Sequence, residues 1–323
     1  MTVRFLRIAA TLLCAVCWMP SARASDGARE TLDQAWWTGP LLAANAGSLP
    51  QGHILFEPYF YDSKPFAHVD AKGRSHPAAD ENDFGSFVYI LYGLTDGFTV
   101  GLIPRFGYDD GGAGRGSASV ALGDWTVQGQ YQLTQFQEGG FMPTISFNLG
   151  ETFPIGHYDR LDRSADGLGA GAYTTILSLY SQSYFWMPTG RIVRTRLNLS
   201  YALSSGVGLE GASVYGTMAG FLGHARPTSS AYGDLAFEYS ITSNWVAAID
   251  FWLEQDANVR IEGRNAAAPV TFDSGVSRML YVAPAIEYNL SSTLGVIFGA
   301  RVFAAGRNAR ALATPVVAIN YVH

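Results

Sequence analysis

The segment FTVGLIPRFGY, residues 98–108, alternates apolar side chains with polar or small ones. The apolar set is Phe98, Val100, Leu102, Phe106 and Tyr108. The positions between them include Thr99, Gly101, Arg105 and Gly107. Because successive side chains of a β-strand point to opposite faces, this pattern predicts a strand with one apolar and one polar face.

The same alternation recurs in later segments. Between residues 193 and 201, Arg194, Arg196 and Asn198 alternate with apolar residues such as Leu197 and Leu199. One such strand would also fit a solvated sheet. The repetition, together with 15% charged and 13% aromatic residues, favours strands whose apolar face contacts lipid, since soluble domains carry about 25% charged residues.

The alternating segments predict an all-β fold, a transmembrane antiparallel up-and-down β-barrel. We place twelve strands near 52–61, 84–93, 98–108, 119–133, 141–155, 170–186, 191–203, 232–241, 245–255, 278–290, 294–303 and 312–322. Short turns alternate with longer polar connections near 62–83, 109–118, 156–169, 204–231, 256–277 and 304–311. Bacterial outer-membrane barrels have an even strand number and short periplasmic turns, so both termini are expected at the periplasmic end. Bulges are expected at the prolines within strands, which are Pro58, Pro104, Pro143, Pro284 and Pro315.

The first residues resemble a secretory signal peptide. Arg4 and Arg7 precede an apolar stretch at 8–18, and Ala22-Arg23-Ala24 offers small residues for cleavage. The sequence therefore predicts a cleaved signal at 1–24, a periplasmic arm or plug at 25–50 that contains Trp36 and Trp37, and an outer-membrane barrel at 51–323. The alternative for the arm is a loosely ordered tail. Both cysteines, Cys14 and Cys17, lie within the signal.

Several segments resemble the family of outer-membrane transporters named for the MetA pathway of phenol degradation. The resemblance lies mainly in residues 46–160 and rests on Ala46-Gly47-Ser48-Leu49-Pro50-Gln51-Gly52 before Glu57-Pro58-Tyr59, on Tyr92-Gly93-Leu94-Thr95-Asp96, on Leu122-Gly123-Asp124-Trp125 with Tyr131, and on Phe153-Pro154-Ile155-Gly156-His157-Tyr158-Asp159. His157 departs from the small or acidic residue expected there, and the second half matches only in strand pattern. The resemblance implies a barrel and uptake of aromatic or other hydrophobic compounds, and it supplies no ligand residues.

Charged residues on the inward face are the candidate functional residues, because a charge within a membrane barrel needs a wet or paired surrounding. They are Glu57, Arg105, Asp124, Arg194, Arg196, Asp234, Glu238, Asp250, Glu254, Glu287 and Arg301. Acids predominate on the three strands that follow Arg194 and Arg196, so cross-strand ion pairs are expected. These residues either line a path for solutes or form a salt-bridged interior that fills the barrel.

The sequence predicts a channel or transporter for passive passage of small, hydrophobic or aromatic solutes through the outer membrane of a Gram-negative bacterium. Its alternatives are a barrel enzyme acting on lipid or envelope substrates and a filled structural barrel. We find no histidine with a serine two residues on and no ligand cluster on one strand, so neither catalytic residues, nor a metal, nor a cofactor are predicted. The expected partners are outer-membrane lipid and a small-molecule solute. Nucleic acid is not expected, since the net charge is −6.

The predicted fold and location are testable on gels and membrane fractions. A closed barrel in detergent resists unfolding until it is heated, so unboiled protein should migrate differently from boiled protein. It should also sediment with outer membranes. Recovery of the protein as a soluble periplasmic species would contradict the prediction.

Overall fold

A computed structural model describes residues 29–78, 81–110, 116–266 and 268–323. The predicted signal peptide lies outside the described residues. The strands are β1 (Ile54–Val69), β2 (Ser75–Pro77), β3 (Asn82–Thr95), β4 (Phe98–Ile103), β5 (Arg105–Asp110), β6 (Ala121–Leu122), β7 (Trp125–Thr134), β8 (Thr144–Phe153), β9 (Thr174–Trp186), β10 (Ile192–Ser204), β11 (Val207–Glu210), β12 (Phe221–Arg226), β13 (Ser230–Ser240), β14 (Trp245–Asp256), β15 (Arg260–Asn265), β16 (Ala268–Asp273), β17 (Ser277–Asn289), β18 (Leu294–Arg307) and β19 (Ala309–Val322). Two short 3₁₀ helices span Leu32–Gln34 and Ser164–Asp166. No helix among these residues is long and apolar enough to cross a membrane.

The main sheet closes on itself to form the predicted twelve-stranded antiparallel barrel. Each wall strand pairs with the next along the chain, and β1 pairs with β3 on one side and with β19 on the other. Tyr59, for example, lies opposite Phe87 of β3 and Ala318 of β19. β4 with β5, and β6 with β7, each make up one wall strand. Closure leaves no unpaired edge in the wall, as a lipid environment requires.

The two faces of the wall are as predicted. On β10, Leu199 is 50% exposed and its neighbour Asn198 is 5% exposed, because Leu199 points outward and Asn198 points into the barrel. Near the end with short turns, Trp245 and Tyr288 contact each other on the outer face, with ring centroids 4.6 Å apart. Exposed aromatic rings at this level are typical of a membrane interface.

The predicted effect of prolines was wrong for most of them. The wall strand is interrupted at Pro104, between β4 and β5, and Pro143 precedes β8. The register is unchanged across Pro58, Pro284 and Pro315. A proline within a strand removes one ladder hydrogen bond, but the loss of a donor does not by itself shift the register.

Four predicted outer loops contain strands instead. Within 62–83, β1 continues to Val69 and pairs there with the short strand β2. The connection expected at 304–311 is reduced to Asn308, whose φ of 52° suits a tight reversal. Arginines and small residues at the ends of β18 and β19 hid the strand pattern there. The loops expected at 204–231 and 256–277 contain β11, β12, β15 and β16, which form a separate four-stranded sheet. Its buried core is Val207, Leu209, Phe221, Ala225 and Ile261.

The face assignment predicts a difference in stability between two matched substitutions. Leu199→Arg places a charge in lipid and should lower the free energy of unfolding by about 2–4 kcal/mol near the midplane. Gln128→Arg places the same side chain on the inward, half-buried face and should have a smaller effect. Urea unfolding in phospholipid vesicles measures both, and equal losses would contradict the assignment.

Candidate functional site

The N-terminal arm, residues 29–50, lies inside the barrel. It starts at the β9–β10 turn, where the Glu30 amide donates to the Gly190 carbonyl at 3.0 Å. Just after its end, the Gln51 amide donates to the Asp96 carboxylate at 3.0 Å, at the β3–β4 turn. Both turns belong to the set of short turns at one end, which we call the inner end. The arm therefore enters and leaves the lumen at the inner end, and its middle lies deepest.

Two wall carboxylates bind the backbone of the arm. Asp250 of β14 accepts hydrogen bonds from the consecutive amides of Leu41, Leu42 and Ala43 at 3.0, 3.2 and 3.0 Å. Glu287 of β17 accepts from the amides of Thr38 and Gly39 at 2.7 and 3.1 Å. The arm is outside the sheet, so its buried amides need side-chain acceptors. Charge-assisted hydrogen bonds of this kind are stronger than neutral ones.

Wall residues on β10, β7 and β4 bind further backbone groups of the arm, most of them carbonyls. Arg196 donates to the Ala43 carbonyl at 2.7 Å, and Asn198 donates to the Ala44 carbonyl at 3.1 Å. Gln130 of β7 donates to the Asn45 carbonyl at 3.0 Å. The Leu49 amide donates to Thr99 Oγ1 at 2.9 Å. Inward polar residues that the sequence pattern would assign to a water-filled pore are thus bound to the arm.

An ion-pair centre lies beside the arm and confirms the expected cross-strand pairing. Arg194 and Glu238 are directly opposite each other on β10 and β13, and Arg194 Nε donates to Glu238 Oε2 at 2.7 Å. Arg196 Nε lies 3.3 Å from the same oxygen. The Arg194 guanidinium stacks on Trp37 of the arm, 4.5 Å from the ring centroid. Both arginines and Glu238 are buried.

Asp234 also belongs to this group, but no described residue donates a hydrogen bond to it. Its side chain is buried on β13, and Asp250 lies on β14, the adjacent strand. Neither carboxylate oxygen has a hydrogen-bond partner among the described residues. The structure thus brings together six of the eleven predicted residues around the arm: Arg194, Arg196, Asp234, Glu238, Asp250 and Glu287.

The other five predicted residues lie apart from this group. Glu57 accepts from Asn320 at 3.0 Å, and Glu254 accepts from the Trp252 indole at 2.9 Å. The Arg301 guanidinium lies 4.7 Å from the ring centroid of Tyr281, and Arg105 donates to the Tyr61 hydroxyl at 3.3 Å. Asp124 accepts from the amides of Gly156 and Ala170 at 2.9 and 2.7 Å, so it holds an outer connection in place. Among the described residues, no group of metal-ligating side chains is present.

Aromatic side chains on the inward face were missed. Tyr59, Phe87 and Tyr89 form one cluster, and Tyr232 stacks on Trp252 at 4.7 Å. They follow the same alternation as the charges, since Tyr59 is two residues from Glu57 and Trp252 is two residues from Asp250. That spacing was the signal available in the sequence.

The closed barrel with an apolar outer face defines the class of outer-membrane β-barrels. No family model matches the chain, and no curated protein matches it in sequence. The chain is similar in structure to an outer-membrane channel from Pseudomonas putida F1, with a TM-score of 0.64 and 14% identity over 87% of this chain and 98% of that one. It also shows a likeness to the Pseudomonas putida toluene transporter TodX, with a TM-score of 0.38 and 11% identity over 85% and 89% of the two chains. At such identities the first similarity shows a shared fold.

The ion-pair centre predicts a large effect of removing one arginine. Arg194→Gln leaves the buried Glu238 with part of its charge uncompensated, and it should lower the free energy of unfolding by about 3–5 kcal/mol. The control is Arg301→Gln, because Arg301 contacts a ring and forms no ion pair within the described residues. Urea unfolding in detergent micelles measures both, and an equal loss in the two variants would contradict a structural role for the pair.

Proposed function

We propose that this protein is an outer-membrane channel for the passive passage of small, uncharged hydrophobic or aromatic solutes. The observation that supports this most is the aromatic lining of the lumen around the arm tip and beyond it. Tyr61, Phe87, Tyr89, Tyr232 and Trp252 all point inward and are partly exposed there. Aromatic rings bind flat apolar molecules through offset-stacked and edge-to-face contacts. The resemblance of residues 46–160 to transporters of the phenol-degradation family supports the same solute class.

The pairing of the charges in the lumen supports the proposal that the solute is uncharged. Arg194 and Arg196 both pair with Glu238, while Asp250 and Glu287 are bound to arm amides. Around the arm, Asp234 is the one charged residue left with neither an ion pair nor a hydrogen bond among the described residues. An anionic solute would lose hydration there without gaining a partner, which costs several kcal/mol, and a cation would gain only Asp234.

We further propose that the arm is a plug, so that residues 25–50 form a separate functional unit within the barrel 51–323. The arm binds wall residues from β4 to β17 across the lumen, between the aromatic region and the inner end. Passage requires the arm to shift. A barrel permanently filled by its arm, with a structural role in the membrane, is the alternative, and the same experiment distinguishes the two.

A disulfide between the arm and the wall tests the plug. A Cβ atom at Gly295 of β18 would lie 3.3 Å from Cβ of Thr38, close to the separation of about 3.5–4.5 Å found in disulfides. Thr38→Cys with Gly295→Cys should therefore form a bond that fixes the arm. Toluene uptake by proteoliposomes should stop on oxidation and return on reduction, whereas Thr38→Cys alone should be insensitive to oxidant. Deletion of residues 25–50 should increase uptake.

The same experiment can contradict the channel proposal. If the reduced double variant and the deletion variant both fold, as judged by heat-dependent migration, yet neither admits solute faster than empty liposomes, the channel proposal fails. The filled barrel is then the better account.

A further inference from the structure

The tip of the arm packs on aromatic residues of the wall. Leu41 is 3% exposed and belongs to a buried cluster that includes Tyr59. Leu42, Phe87 and Tyr89 pack against the same cluster. The remaining buried members are small or aliphatic: Ala283, Ile297, Val316 and Ala318. The tip thus occupies an apolar site that is built mainly from residues on β1, β3, β17, β18 and β19.

The rings in this site are arranged to bind a flat apolar group. Tyr59 and Phe87 are stacked, with centroids 4.7 Å apart and an interplanar angle of 13°. Tyr89 stands edge-on to both, at 5.9 Å from Tyr59 and 5.5 Å from Phe87. A fourth ring added to such a cluster finds both a face and an edge to contact. Two leucine side chains fill that space without using the ring geometry.

We propose that Leu41 and Leu42 occupy the binding site of the solute, so that an uncharged aromatic molecule opens the channel by displacing the arm tip. This inference rests on the proposed channel function and adds its regulation. Solute and tip exclude each other at one site, so each lowers the affinity of the other by the same factor. The arm then keeps the channel closed until an uncharged aromatic solute binds.

The polar contacts of the tip allow it to move as a unit. Asp250 binds three successive amides, so its hydrogen bonds form and break together. Glu287 binds the preceding pair, Thr38 and Gly39, and provides a second anchor that is released together with the tip. An aromatic anion is a poor opener, because it would meet the carboxyl groups of Asp250, which binds the tip, and of Asp234, which is buried on the adjacent strand.

The reactivity of a buried cysteine measures release of the tip without any flux measurement. Ala43 is adjacent to the two leucines and is buried, and the sequence has no cysteine after Cys17. In Ala43→Cys protein reconstituted in vesicles, the rate of reaction with N-ethylmaleimide should rise about tenfold with saturating toluene. Benzoate, its anionic counterpart, should leave the rate unchanged. Asn45→Cys, at an exposed position of the arm, should react rapidly with or without toluene and shows that the reagent enters the lumen.

Matched leucine substitutions test the role of the tip. When Leu41→Ala and Leu42→Ala are added to Ala43→Cys, the introduced thiol should react about tenfold faster without toluene, since buried apolar contacts are lost. Leu49→Ala, the same change on the arm outside the cluster, should not have this effect. The inference is overturned if toluene leaves the rate unchanged, or if Leu49→Ala raises the rate as much as the tip substitutions do. Toluene-dependent labelling without toluene uptake, even after deletion of residues 25–50, would support the site and contradict the channel.

Discussion

Satisfaction of buried backbone polar groups is the constraint on which the rest of this structure depends. In hydrocarbon, an unpaired N–H or C=O group costs several kcal/mol, so the wall must close. The pairing of β1 with β19 achieves this for the wall. The arm meets the same constraint without a ladder, because it crosses the lumen as an irregular segment. Its amides and carbonyls are satisfied by side chains of the wall instead.

This requirement explains why the lumen contains so many charges although the uncharged solute that we propose needs none of them. An arm amide needs an acceptor, and carboxylates of Asp250 and Glu287 are the strongest ones available. An arm carbonyl needs a donor, which Arg196 supplies. Arg196 in turn needs a counter-charge, which it shares with Arg194 through Glu238. The inward charges are therefore linked to one another through the backbone of the arm.

The strands could be predicted because their signal is local. Alternation alone assigns Leu199 to the outer face and Asn198 to the inner face. The same pattern, found repeatedly along the chain, predicts the twelve wall strands. The outer sheet of β11, β12, β15 and β16 could not be predicted in this way, because its strands are short and its loops are rich in glycine. The reversal at Asn308 was missed for a different reason. Arg307 and Arg310 look like loop residues in the sequence, although both belong to strands in the structure.

The sequence predicts which charged residues face into the barrel, but it does not predict what they bind. Alternation correctly places Arg194, Glu238, Asp250 and Glu287 on the inward face, and this face alone suggests a charged pore. Whether a charge faces water or a backbone amide depends on contacts between residues more than 200 positions apart, such as Thr38 with Glu287. A single sequence carries no signal for such contacts. The same arm that neutralises the charges also buries Tyr59 under Leu41. Under the proposed function, selectivity in this lumen is therefore a matter of which apolar group, leucine or solute ring, fits the aromatic wall better.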